Sequence, residues 1–226
     1  MQPTPSFHRT GAARHRVVPF IAYLLVFYAV WTGWVYLVYP RLQMIGPATL
    51  AYALVNISLR LLIWVLPVFW YLRYVEHVNP IAYLNLQHHW QRGVLIGLAL
   101  TSINILGSLL RFGLPHMSLH AITWNDLLST SLLIGVIEEI PYRGFILQQL
   151  QNFCPFWVAS LITALLFVGI HLPGWIALHL LRAESVVTIF IFGIVMAIVV
   201  RYSKSLWSAI VVHSLNDFLS AVVFRL

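Results

Sequence analysis

Three of the six acidic residues in this 226-residue chain, Glu138, Glu139 and Asp217, stand inside long apolar runs, and His171 and His213 join them there. An ionised side chain at the centre of a membrane helix costs about 2.5–3.5 kcal/mol on insertion scales, against about −0.3 to −0.6 kcal/mol for each large aliphatic. Such groups are retained where they face a polar cavity and carry out chemistry in it. At 100° per residue, Glu139 and Arg143 share one helix face and can pair. Glu138 points about 140° away from Arg143, which leaves its carboxylate uncompensated in a poorly solvated position, the setting of a general base. Pro141 cannot donate to the carbonyl of Ile137, so the helix is expected to kink and loosen beside these acids. Phe167 with His171, and His213 with Asp217, repeat the i, i+4 spacing on two later segments.

The elements that must position these groups are membrane helices. Apolar residues make up 61% of the chain and charged residues 8%, where a soluble domain carries about 45–50% and 25%. The apolar residues run in stretches of spanning length rather than in strand-like alternation. This excludes a disordered chain and an ordinary soluble fold. The net charge of +7 comes from thirteen cations at scattered positions, mostly segment ends, without the basic clusters and interleaved aromatics of a nucleic-acid surface. The fold expected is an all-α polytopic transmembrane bundle of seven to eight spans, at roughly 17–39, 47–72, 93–112, 126–150, 155–172, 185–200 and 205–224. Pro40, Asn79-Pro80, Gly113 with Pro115, Pro155 and Pro173-Gly174 punctuate it, and Trp175 to Leu181 reads as a short re-entrant or interfacial piece. Three regions follow: a polar basic tail over 1–16, an N-terminal transmembrane extension over 17–125, and a core over 126–226 that holds all three polar clusters and that the resemblance given below implies to be catalytic. With the N-terminus inside, one face receives Arg9, Arg14, Arg16, Arg73, Arg92, Arg201 and Lys204, and the other Arg41, Arg111, Arg182 and Arg225. That bias supports a cytoplasmic N-terminus, and the membrane expected is a bacterial inner membrane. Trp34, Tyr36, Tyr39, Trp70 and Tyr71 read as an interfacial belt, and the single cysteine, Cys154, as an inert thiol.

The strings EEIPYRG (Glu138 to Gly144), FVGIH (Phe167 to His171) and HSLND (His213 to Asp217) resemble the three ordered motifs of the CPBP family, the CAAX-prenyl-protease-2-like or ABI intramembrane proteases. The resemblance covers roughly residues 126–226 and implies a four-helix catalytic core. It implies that Glu138 is the general base and that His171 helps it to polarise water. His213, with Asp217, would face the developing oxyanion. Glu139 and Arg143 would be an ordering ion pair, and Phe167 would pack the cavity wall. Asp217 stands where many members carry Asn, and an ionised carboxylate cannot donate a hydrogen bond. It would then orient His213 or, if protonated, donate itself, with the neighbouring Asn216 as an alternative donor that projects about 100° away. The implied substrate is a membrane-embedded or lipidated protein or peptide within the lipid bilayer, with no nucleic acid.

The family name says metalloprotease, and Glu138, His171 and His213 are the residues that could hold a Zn²⁺. No HExxH, GxSG or GxGD motif is present, and the reading favours a metal-free mechanism. Two rivals stay open. The buried acids and histidines could form the relay of a proton-coupled transporter, or the chain could be a silent family member acting as scaffold or immunity protein. Outside the motifs, Asn56 and Arg60 share a face of the second span and read as packing glue, with substrate contact as the alternative. His88-His89 reads as an interfacial pair, and His116 with His120 as a loop pair.

Overall fold

A computed structural model describes residues 10–113 and 122–220. Among them are eight helices and no strand: α1 (10–45), α2 (Leu50–Tyr74), α3 (Pro80–Tyr83), α4 (Trp90–Phe112), α5 (124–150, interrupted by a turn at Leu133), α6 (Phe156–Ala177), α7 (Ala183–Ser203) and α8 (Leu206–Phe218). Five of them, α1, α2, α4, α6 and α7, are long and apolar enough to cross a membrane. α5 corresponds to the fourth expected span and α8 to the last. The bundle is polytopic and all-α, and the spans lie close to where the apolar runs placed them.

The prolines do less to break helices than their chemistry suggests. α1 passes through Pro40 to Ile45, and α6 passes through Pro173 to Ala177. A proline ring clashes with the carbonyl four residues back, and a wider turn relieves the clash. Wide π turns sit beside three of these residues: Trp34–Val38 before Pro40, Leu61–Val65 before Pro67, and Ile140–Ile146 around Pro141. The Trp175–Leu181 stretch is therefore not a re-entrant element. Its first three residues complete α6, and 178–182 form a loop. The short extra helix lies instead at Asn79-Pro80, where the Asn79 carboxamide oxygen accepts from the N–H groups of Ile81 and Ala82 at 3.0 and 3.4 Å.

α5 is the axis of the molecule. Residues 134–147 are buried almost without interruption, as expected of a helix enclosed on every side. Phe20 and Phe27 of α1, Trp64 and Tyr71 of α2, and Tyr142 and Phe145 of α5 form one core cluster, with edge-on ring contacts such as Tyr23–Phe145 at 4.9 Å. Trp34 and Tyr71 thus belong to the core rather than to an interfacial belt, because they lie on the helix faces turned inward, whereas Tyr36 and Trp70 are exposed. The region read as an N-terminal extension and the region read as a core share this cluster. On the other side α8 packs along α4 and α5 through glycines. A side chain at Gly97 would come within 2.7 Å of Val211 Cβ, and one at Gly135 would overlap the carbonyl of Ile210. Small residues that let membrane helices approach closely are the usual means of such packing.

Candidate active site

α5 carries Glu138, Glu139 and Arg143 into the buried centre. Arg143 Nη1 donates to Glu139 Oε1 at 2.9 Å, as the i, i+4 spacing requires, and Nη2 donates to the carbonyl of Gly193 at 3.2 Å. The guanidinium carbon stands 4.4 Å from the centroid of Phe167, so the cation is held on an aromatic face as well. Glu139 also receives His213. The imidazole Nδ1 lies 2.7 Å from Glu139 Oε1. A carboxylate already paired with arginine only accepts, so this contact places the proton on Nδ1 and leaves Nε2 toward the other acids. Nε2 stands 3.7 Å from Asp217 Oδ2 and 3.9 Å from Glu138 Oε2. The residue that orients His213 is therefore Glu139, and Asp217 faces the opposite nitrogen.

His171 is fixed by its own helix. Its Nδ1 lies 2.7 Å from the carbonyl of Phe167. Because a carbonyl only accepts, Nδ1 is again the donor, and Nε2 keeps the lone pair. Phe167 stacks edge-on against His171 at 4.9 Å, and Phe192 does the same against His213 at 4.9 Å, which restricts both rings.

These groups wall one cavity of about 330 Å³. Glu138, Phe167, His171, His213, Asn216 and Asp217 all line it, while Glu139 and Arg143 lie behind His213 and hold it. Thr188, on the exposed surface of α7, also lines it. Four positions named from the motifs as chemical participants, Glu138, His171, His213 and Asp217, are thus drawn from α5, α6 and α8 to one space. Asn216 reaches the same wall although its backbone direction differs from that of Asp217, and its amide nitrogen stands 3.5 Å from Asp217 Oδ1. Its own oxygen accepts from Asn104 of α4 at 2.7 Å.

One expectation is overturned here. Glu138 is not uncompensated. Arg60 of α2 reaches across and donates from Nη2 to Glu138 Oε1 at 3.2 Å, and from Nη1 to the carbonyl of Ser129 at 3.3 Å. Its guanidinium carbon lies 5.7 and 5.8 Å from the Trp31 and Trp64 rings. Arg60 lines the same cavity. The packing role is real as well, since Asn56 one turn earlier donates to Asn125 at 3.0 Å. An intramembrane arginine pairs with an acid or with backbone carbonyls; its depth in the span is visible in the sequence, but which partner it takes is not.

The charges nearly cancel. Glu138, Glu139 and Asp217 face Arg60 and Arg143, so three carboxyls against two guanidiniums leave room for one proton among the acids and histidines. As a metal site the donor set fits poorly. Among the described residues no three His, Cys, Asp or Glu side chains converge as a metal requires, and His213 Nδ1 is committed to Glu139. His116 and His120 lie outside the described residues. His88 and His89 are exposed, remote from the cavity.

No curated protein and no solved structure matches the chain. Residues 120–219 do match a family, described as type II CAAX prenyl endopeptidase Rce1-like, and the match spans all three motifs and every helix of the cavity except α2. That segment is thus similar to the type II CAAX prenyl endopeptidases, in agreement with the CPBP resemblance carried by the three motifs.

Proposed function

We propose that this protein is an intramembrane endopeptidase that hydrolyses a peptide bond of a membrane-embedded or lipidated polypeptide by direct attack of water. Glu138 is the base. It takes a proton from a water polarised by His171 Nε2, and the water oxygen adds to the scissile carbonyl carbon. The carbonyl oxygen becomes an oxyanion beside His213, whose orientation Glu139 and Arg143 fix, and Asn216 is the amide donor within reach. Collapse of the tetrahedral species breaks the C–N bond, and the proton held by Glu138 passes to the departing amine. Asp217 then serves to hold the proton that the charge count leaves over, and Arg60 keeps Glu138 aimed at the cavity. No step runs through a metal.

The observation that supports this best is the gathering of Glu138, His171 and His213 from three helices around one cavity that reaches the surface at Thr188. A relay for transported protons would be strung along the membrane normal instead. The cation bias supports a cytoplasmic N-terminus, and residence in a bacterial inner membrane is part of the same proposal.

The test compares wild type with Glu138→Ala at matched expression, on membrane peptides and prenylated C-terminal peptides, with and without chelator. The reading expects cleavage by wild type to persist in chelator and to fall by about 10²–10⁴-fold in the variant, the usual contribution of a general base. Equal cleavage by both proteins removes the base, and loss on chelation removes the metal-free chemistry.

A further inference from the structure

A second cavity, of about 320 Å³, lies at the end of the bundle away from the candidate active site, where α3 and the last turns of α5 and α7 meet the starts of α6 and α8. Arg143, Arg201, Lys204, Asn85, Gln148 and Gln151 line it, and no acid is among its described lining residues. Cations at span ends commonly serve only as topology signals in the headgroup layer. These are held in place. The Arg201 guanidinium carbon sits 4.1 Å from the Phe156 ring centroid. Lys204 closes α7 in a left-handed conformation (φ 57°), and its carbonyl accepts from Asn85 Nδ2 at 2.9 Å. Ser205 and Leu206, also in the wall, begin α8 without a side-chain cap, so the positive end of that helix adds to the same field. Arg143 has a buried Nε with no hydrogen-bond partner.

Guanidinium, ammonium and carboxamide donors around a small space, with no carboxylate in its wall and with Arg201 and Lys204 clear of the Glu139 that occupies Arg143, are complementary to an oxyanion with several acceptor oxygens. The volume, near the lower end of small-ligand sites of about 300–1,000 Å³, suits a headgroup rather than an acyl chain. The position, at the ends of membrane helices, is where lipid phosphates lie. We propose that this cavity binds a phosphate group, presented by an anionic lipid headgroup or free in solution. The site is independent of the proteolytic reading. It does share one residue with it, because Arg143 lines this cavity while its guanidinium holds Glu139.

The full chain, purified in mild detergent, is followed by thermal unfolding while dioleoylphosphatidylglycerol, dioleoylphosphatidylcholine or inorganic phosphate is titrated in. Ligand that binds the folded state raises its melting temperature with concentration. The site predicts such a rise with phosphatidylglycerol and little with phosphatidylcholine. Replacing both Arg201 and Lys204 by Gln weakens the apparent affinity by about thirtyfold, since each cation near a membrane surface contributes roughly a factor of five. Arg92→Gln, an exposed cation outside the cavity, leaves it unchanged. A rise with inorganic phosphate that the double variant loses supports the same site with a free anion as its ligand. Undiminished stabilisation of the double variant, or no response to either phosphate probe, overturns the proposal. Should the double variant unfold before titration, native mass spectrometry of Lys204→Gln, counting bound phosphatidylglycerol, makes the same decision.

Discussion

Removing Arg60 leaves the Glu138 carboxylate buried without its cation, a change that costs about 3–5 kcal/mol in buried pairs. Arg60→Met is therefore expected to lower stability by about 3 kcal/mol, and adding Glu138→Gln to recover most of that loss. A double-mutant cycle read by unfolding measures the coupling, and strictly additive losses would contradict it. The charge count gives a second expectation. In the Arg60→Met background, Asp217→Asn restores the wild-type excess of one carboxyl over the guanidiniums, so it should return part of the lost cleavage. If Asp217→Asn lowers activity further, the balance is not what Arg60 supplies. Cys154 offers a check of a different kind: its Sγ lies 3.3 Å from the carbonyl of Leu150, and burial pushes the thiol above its ordinary value. The neutral thiol is then favoured at pH 7, so alkylation should run slower than at an exposed engineered cysteine and accelerate as pH rises. At this scale the local partners were legible, as Glu139 with Arg143, because i, i+4 geometry needs no tertiary information. The partner of Glu138 was not, because Arg60 lies 78 residues away in sequence and only folding brings it there.

The helices themselves follow from the length of the apolar runs, which the membrane imposes on any spanning segment. The prolines were harder to read. A ring that removes one donor ends a helix only if the neighbouring turns cannot widen, and here the π turns beside Pro40, Pro67 and Pro141 absorb it. The turn over 140–146 also sets the phase between Glu139 and Arg143. Pro141→Ala restores the missing N–H and favours a regular α turn. Stability is then expected to hold or rise while cleavage falls at least about tenfold, the trade found when a strained active-site element is relaxed. Cleavage unchanged by this variant would mean that the wide turn is incidental. Gly135 bears on packing instead. A methyl there meets the Ile210 carbonyl, so Gly135→Ala should destabilise by about 1–3 kcal/mol, visible as a lower melting temperature in detergent.

In the whole molecule, one buried helix carries Glu138 and Glu139, α1 and α2 enclose it with aromatic rings, and α6, α7 and α8 complete the cavity. The motifs made α5, α6 and α8 legible as the site because their polar residues stand out against apolar surroundings. The contribution of α2 was hidden, since a single arginine at the depth of a span reads equally as packing until its partner is known. The catalytic claim and a purely structural reading of the same cluster differ in one paired measurement: cleavage and melting temperature of wild type and Glu138→Gln in the same vesicles. The substitution leaves two carboxyls facing two guanidiniums, Glu139 and Asp217 against Arg60 and Arg143, and its amide oxygen can still accept from Arg60. The account predicts a melting temperature close to wild type with cleavage reduced at least about a hundredfold. Cleavage retained, or lost only in step with a collapse in stability, would contradict it.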